Sequence, residues 1–299
     1  MTTQISTTDR RAMIAFLAVP GIGRKTFRML ERRVVEMGIS LSELWNRRRD
    51  WEKAGLGESK REALEIFQEK YTPAGLIRFL TQKKIRVMTI YDKNYPKLLK
   101  EIDDPPLTLY IMGSKIEQES TAISVVGTRK MTPYGERAIE KIVGELVGQG
   151  VMIVSGFMYG VDYRAHQVAL DYGGQTLGVL GFGFDHIFPR SFVGKFQNML
   201  DRGMTFITEY PPFVRAKKGC FPERNRIVAG LSAGTIVIEA AARSGTSITA
   251  NLAAEYGRGV FAVPGSIFSP YSEGTRVLIN NGACLVESGY EVLEEIGSW

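Results

Sequence analysis

The fold is decided by residues 122–156, which read AISVVGTRKMTPYGERAIEKIVGELVGQGVMIVSG. Two short apolar runs, Ala122–Val126 and Val151–Val154, are each followed by a small residue, Gly127 or Ser155. Between them lies an amphipathic stretch of helical period, from about Tyr134 to Gln149. A strand, a helix and a second strand in this order predict a parallel βαβ unit. Because both runs are apolar throughout, we expect their strands to be buried on both faces.

The same alternation continues toward the C-terminus. Further short apolar runs end near Leu180, Thr208, Ile238 and Val263, and amphipathic helical stretches separate most of them. The sequence therefore predicts an α/β fold: an extended Rossmann-like, doubly wound, mostly parallel sheet.

The N-terminal region has a different pattern. Apolar residues between positions 10 and 70 recur at spacings of three and four, which is typical of helices packed on one another. We predict a small all-helical domain over residues 1–75, followed by the Rossmann-like domain over residues 76–299.

Composition excludes several classes of protein. Of 299 residues, 44% are hydrophobic and 23% are charged, which argues against a disordered or fibrous chain. Two Cys and two His argue against a disulfide framework or a Cys/His zinc site. No apolar run reaches the length of a membrane-spanning helix, and the first residues lack the order of a signal peptide. We expect a cytoplasmic protein that does not bind a membrane.

Charge is unevenly distributed along the chain. Residues 1–110 hold 21 Lys/Arg and 14 Asp/Glu, whereas the remainder holds 17 and 18. Within the second part, residues 190–226 hold eight basic and three acidic residues. This bias has two interpretations, a polyanionic partner or ordinary surface charge.

The predicted strand ends carry the candidate binding residues. In such sheets, ligands bind outside the carboxyl ends of the strands, where helix N-termini offer backbone N–H groups to anions. Arg129 lies at this edge and has the fork geometry that binds phosphate. Neither the dinucleotide fingerprint nor the Walker motif occurs, so another phosphate-bearing ligand is favoured. The edge residues are Gly127, Thr128, Arg129, Ser155 and Gly156.

A second candidate segment, residues 221–232, reads FPERNRIVAGLS. Two arginines around an amide near a helix start suit phosphates or the edge of a base. The alternative is that these arginines form salt bridges with Glu209 and Glu223. The residues concerned are Arg224, Asn225 and Arg226, with Lys217 and Lys218 in the preceding loop and Phe182, Phe184, Phe213 and Phe221 as candidate stacking surfaces. For each ring the alternative is packing against the protein, which is the more frequent role of an aromatic side chain in a loop.

A third candidate lies in the helical region, where residues 19–25 read VPGIGRK. A short turn with two glycines between helices is typical of a helix-hairpin-helix, whose second helix directs N–H groups at a phosphate. The alternative is a purely structural turn. The residues of this third candidate are Gly21, Gly23, Arg24 and Lys25.

Several of these motifs, in one order, resemble the DNA-processing protein A (DprA, or Smf) family. The resemblance covers roughly residues 80–287. It is carried by the runs VGTR (126–129), SG with GVD (155–162), GFGFD (181–185), FPERNRIVAGLS (221–232), SGTSITA (244–250) and VFAVPGS (260–266).

The resemblance implies a non-enzymatic protein that binds single-stranded DNA. It would protect incoming DNA in natural transformation and load a RecA-type recombinase, as a homodimer without a cofactor. By motif, the DNA pocket would include Gly127–Arg129 and Arg224–Arg226, with Lys195 in the helix after Phe188-Pro189. We expect the dimer or recombinase surface in the stretch Pro270–Ile296, which is apolar and acidic.

One alternative is an enzyme, a nucleotide phosphoribohydrolase of a related Rossmann-like fold. Those enzymes carry a P-G-G-x-G-T-x-x-E signature. Residues 231–239, LSAGTIVIE, lack the Pro-Gly-Gly and have one residue too many before Glu239.

Overall fold

The computed structural model describes residues 5–116, 120–242 and 244–297. The chain forms two compact units, one of residues 5–95 and 106–111 and the other of residues 96–105 and 112–297. The first unit therefore extends past the predicted boundary at residue 75. Independent folding of residues 1–75 and 76–299 stays a prediction.

The first unit consists of five helices and one antiparallel strand pair. Its core contains an aromatic row in which Phe16 and Trp45 are 5.0 Å apart and Trp45 and Phe67 are 6.3 Å apart, both edge to face. The elements are α1 (Thr7–Ala18), α2 (Arg24–Glu36), α3 (Leu41–Asn46), α4 (Glu58–Lys70), α5 (Pro73–Gln82), β1 (Arg86–Thr89) and β2 (Thr108–Met112), the last of which ends in the second unit.

Two turns of this unit have the same Gly-x-Gly pattern and geometry, which the sequence analysis did not identify. Gly21 and Gly55 both have positive φ, +85° and +91°, and Gly23 and Gly57 are extended N-caps of the 13-residue helices α2 and α4. The residue between each glycine pair, Ile22 or Leu56, is buried. The two Gly-x-Gly turns thus start two helices in the same way.

The second unit holds the predicted sheet. Its strands are all parallel and lie in the order β6-β5-β4-β3-β7-β8-β9. The strands are β3 (Ala122–Val126), β4 (Met152–Ser155), β5 (Thr176–Leu180), β6 (Thr205–Thr208), β7 (Gly234–Val237), β8 (Gly259–Ala262) and β9 (Cys284–Leu285).

Helices cover both faces of this sheet. Ile123 and Val125 of β3 pack in the hydrophobic core formed with α7, α8 and α13, whereas Ser124 between them donates a hydrogen bond to Val228 of α10 at 2.7 Å. The helices are α6 (Lys97–Lys100), α7 (Pro133–Gly148), α8 (Val161–Asp171), α9 (Val193–Asp201), α10 (Cys220–Gly230), α11 (Gly245–Glu255), α12 (Glu273–Asn280) and α13 (Gly289–Gly297). The doubly wound, mostly parallel α/β fold is confirmed.

The topology locates a binding site. The chain runs outward from β3 through β4 and β5 to β6, and then returns to β7 on the other side of β3. Ligands of doubly wound sheets bind at the carboxyl edge where the strand order reverses, which here is at the end of β3. Within the described residues, no helix is long and apolar enough to cross a membrane.

Candidate functional site

An open cleft of about 740 Å³ lies at this carboxyl edge. The loops after β3, β4 and β7 form its walls, together with the loop before α10 and the first turns of α10 and α11. Eight of the predicted site residues line it: Gly127, Thr128, Arg129, Gly156, Lys217, Lys218, Arg224 and Asn225.

Three exposed cations give the cleft its positive charge. Arg129 follows β3, and Lys217 and Lys218 lie in the loop between β6 and α10. Among the described residues, none of the three has an ion-pair partner. Cations that the fold leaves unpaired in a concave surface attract a polyanion.

Arg224 supports the floor of the cleft. Its side chain is buried, and its guanidinium donates to the carbonyl oxygens of Gly156 and Val179. An ideal Cβ on Gly156 would lie 2.5 Å from the guanidinium nitrogens, so only glycine allows this approach. Burial lowers the pKa of Arg224 to about 10, opposed by the charge of Asp162, and the group stays charged at neutral pH. Arg224 therefore positions the loop after β4.

Asp162, at the start of α8, is the one acidic residue among those that line the cleft in the described part of the chain. Burial raises the pKa of its carboxyl group to about 6, against the opposing effect of Arg224. The cleft therefore becomes more positive when the pH falls through this value.

The first turn of α11 forms the opposite wall. Its N-cap Ser244 makes no side-chain capping bond, and the Ser244 hydroxyl is buried without a hydrogen-bond partner in the described residues. Asn225 Nδ2 donates to the carbonyl of Gly245 at 3.4 Å and links α10 to this turn. Uncapped N–H groups and a free hydroxyl suit a phosphate. The sequence analysis used the run SGTSITA (244–250) only for the family resemblance, although a serine just before a helix indicates an N-cap and could have identified this turn.

The candidate aromatic rings divide between the core and the cleft. Phe182 and Phe184 are buried, 1% and 7% exposed, so they are packed side chains and not stacking surfaces, which is the alternative that the sequence left open. Phe221 does line the cleft, with its ring 5.6 Å from that of Phe188. Phe188 and Tyr159 are 44% and 40% exposed in the cleft and were not predicted. Phe213, the remaining predicted ring, is half-buried and does not line it.

Three predicted contacts lie outside the cleft. Ser155 is fully buried, and its hydroxyl donates to the carbonyl of Val125 at 2.6 Å. Arg226 is also buried and forms a two-pronged ion pair with Glu209, at 2.7 and 2.8 Å, which is the alternative that the sequence left open. Lys195 does not line the cleft, but its ammonium lies over the rings of Tyr159, Tyr163 and Phe192.

The third candidate, the turn with Gly21, Gly23, Arg24 and Lys25, belongs to the other compact unit. Helix α2 begins at Arg24 after the extended N-cap Gly23, which makes no side-chain capping bond. Lys25 is exposed in the first turn. The helix-hairpin-helix geometry is present, and its role in binding stays a prediction.

Comparison with known proteins agrees with the resemblance. Residues 86–297 match the family of DNA recombination-mediator protein A. DNA processing protein DprA of Bacillus subtilis is 39% identical over 216 residues, which is 72% of each chain. The crystal structure of DprA from Streptococcus pneumoniae has a TM-score of 0.78 at 31% identity and covers 98% of this chain and 99% of its own.

A second solved structure is DNA processing protein A from Helicobacter pylori, which was described for its single-stranded DNA binding mode. It has a TM-score of 0.63 at 28% identity and covers 72% of this chain and 96% of its own. The residues that match the family, 86–297, include the seven parallel strands of the second unit and every loop that lines the cleft. The chain belongs to the DNA recombination-mediator protein A family, also known as DprA or Smf.

Proposed function

We propose that this protein binds single-stranded DNA along the cleft at the carboxyl edge of its sheet and acts as a recombination mediator. The observation that carries the proposal is the combination of three unpaired cations, an uncapped helix start and two exposed rings in one cleft. Cations and N–H groups contact phosphates, and rings stack on bases that are not paired in a duplex. The single-stranded DNA binding described for the Helicobacter pylori relative supports the same reading.

The placement of the cations favours a strand over a single nucleotide. They lie on loops that follow different strands of the sheet rather than on one phosphate-binding turn. A strand that passes through the cleft presents several phosphates and so engages several of these groups.

The proposed role is binding without catalysis. Glu239, which stands nearest to the glutamate of the phosphoribohydrolase signature, is 3% exposed and does not line the cleft. Its carboxylate accepts hydrogen bonds from the Thr132 amide at 2.9 Å and the Thr132 hydroxyl at 2.6 Å. These contacts give Glu239 a structural role at the start of α7, which supports the non-enzymatic proposal.

The biological setting is part of the proposal. The mediator would protect incoming DNA in the cytoplasm during natural transformation, and would pass it to a RecA-type recombinase. It would act as a homodimer through the C-terminal stretch Pro270–Ile296. There, Val277, Leu285 and Tyr290 are 46%, 47% and 51% exposed, which supports a protein contact.

The test is direct binding of the purified full chain to labelled oligonucleotides of equal length, as single-stranded DNA, duplex DNA and RNA. We expect tightest binding to single-stranded DNA, with log affinity falling with log salt by about 0.7 per phosphate contact. Equal affinity for duplex, or binding that ignores salt, would contradict the proposal. Free base released from nucleoside monophosphates would favour the enzyme instead.

A further inference from the structure

One loop at the carboxyl edge holds an aromatic side chain almost entirely in solvent. The rim loop, residues 264–269, follows β8 and contains Ile267 and Phe268, which are 77% and 90% exposed. Phe268 is the most exposed of the large hydrophobic side chains in the described part of the chain. Isolated exposed apolar residues are ordinary, but two adjacent ones at a binding edge are not.

The rim loop is internally fixed. The amide of Phe268 donates to the Ser266 hydroxyl at 3.2 Å, and the amide of Ser269 donates to the carbonyl of Ser266 at 3.0 Å. At its start, the carbonyl of Pro264 accepts a hydrogen bond from the hydroxyl of Tyr134. These hydrogen bonds fix the backbone of the rim loop in the conformation in which the Phe268 ring is exposed.

The rim loop adjoins the wall of the DNA cleft. Tyr271, just after the loop, accepts a hydrogen bond from the amide of Ala240 at 2.7 Å, and the carbonyl of Ala240 accepts one from Gly274 at 2.8 Å. The next residue, Ala241, lines the cleft. The exposed ring thus belongs to the same edge and is attached to the β7 side of the cleft.

The other exposed rings flank the cleft on the opposite side. Tyr159 follows β4 and Phe188 follows β5, and Arg129 follows β3, which lies between those strands and β7 in the sheet. A cationic groove with a ring at each side suits a single strand, because a base stacks on any aromatic face irrespective of its identity. Beside the rim loop, a small cavity of about 130 Å³ is lined by one acid, Glu273, and one base, Arg276, so charge does not select phosphate there.

We propose that Phe268 is a base-stacking position for the part of the strand that has left the cleft on the β8 side. The inference rests on the proposed function and adds to it a second contact region, with Ile267 as an apolar neighbour of the stacked base. It makes the binding site longer than the cleft, so that long strands gain affinity that short ones lack.

The test compares full-length variants on single-stranded DNA of about six and about twenty nucleotides. We expect Phe268→Ala to bind the long strand about tenfold more weakly, as the loss of one stacked base predicts, and the short strand unchanged. Phe268→Trp should restore long-strand binding, whereas Phe268→Leu, which is apolar but cannot stack, should not. The matched control is Tyr172→Ala, since Tyr172 is 53% exposed after the end of α8, at the opposite edge of the sheet.

A second readout does not depend on affinity. Photo-cross-linking of a long strand that carries 5-iododeoxyuridine should give a cross-linked peptide that contains Phe268. Unchanged long-strand binding by Phe268→Ala, or full rescue by leucine, would overturn the inference while leaving the proposed function intact. A loss of dimer on sedimentation of Phe268→Ala would assign the ring to a second copy of the chain and overturn it too. Absence of binding by the unaltered protein to either strand would refute the proposed function itself.

Discussion

Arg129 is the side chain on which the account of phosphate binding depends most. It is exposed at the end of β3, lines the cleft and has no ion-pair partner in the described residues. Its charge favours the ionised form of buried Asp162, but less than Arg224 and the hydrogen bonds of Asp162 do, so Arg129→Ala should fold as the unaltered protein does.

The expected loss follows from the contact that disappears. A charge-assisted hydrogen bond to phosphate contributes about 1.5–3 kcal/mol, and exposure to solvent and salt reduces this toward the lower end. We expect a loss of about 1–2 kcal/mol, or roughly 5- to 30-fold in affinity. One lost phosphate contact should also reduce the salt slope of a single strand by about 0.7.

The assay is fluorescence anisotropy of a labelled single strand over a series of salt concentrations. The matched control is Arg137→Ala, which removes the same charge from α7 at an exposed position that does not line the cleft. We expect the control to change affinity less than about twofold. Equal losses in the two variants would mean that net charge acts at a distance and that Arg129 makes no contact.

Four further predictions test other parts of the account. Arg226→Ala removes the two-pronged ion pair with buried Glu209, so it should destabilise the protein by a few kcal/mol (about 3) in urea unfolding, while the folded fraction binds DNA normally; weakened binding with unchanged stability would contradict the placement. Burial raises the pKa of Asp162 to about 6, so DNA affinity should rise as the pH falls from 7.5 to 5.5, and Asp162→Asn should bind equally at both values. Deletion of residues 1–75 should leave a folded sheet by circular dichroism and weaken binding to long or duplex DNA if the Gly21–Lys25 turn contacts phosphate; unaltered binding would leave that turn a structural one. Leu285→Glu, at an exposed apolar position, should weaken the dimer in sedimentation without changing affinity for a short strand; a monomer before substitution would remove the dimer proposal.

The positions of the strands and of the binding edge of the sheet could be predicted from the sequence, because the buried parallel strands are continuous apolar runs that are followed by small residues. The helix predicted from about Tyr134 to Gln149 is observed as Pro133–Gly148. Arg129 lines the cleft, as predicted, because its position just after the first strand of the parallel sheet was enough to place it at the carboxyl edge.

The placement of Arg226 outside the cleft has a geometric cause. The sequence placed both arginines near a helix start, but helix α10 begins at Cys220 and contains both. Residues two apart on a helix point about 200° apart, so Arg224 reaches the cleft floor while Arg226 faces Glu209. Without the helix boundary, the two side chains could not be assigned to different faces.

The burial of aromatic residues in loops could not be predicted from the sequence. Phe182 and Phe184 lie between β5 and α9 in a segment without secondary structure, yet both are buried, the latter with its ring 6.2 Å from that of Phe196. Phe188, four residues further along, is exposed in the cleft. Burial in an irregular segment depends on tertiary packing, which no local pattern encodes.

The central claim is that single-stranded DNA lies in the cleft at the carboxyl edge of the sheet. Hydrogen–deuterium exchange of the full chain, with and without a saturating single strand, tests it most directly. The account predicts slowed exchange in the four segments that line the cleft, residues 127–132, 156–162, 216–225 and 244–249. Slowed exchange confined to residues outside these segments, in the presence of tight binding, would contradict it.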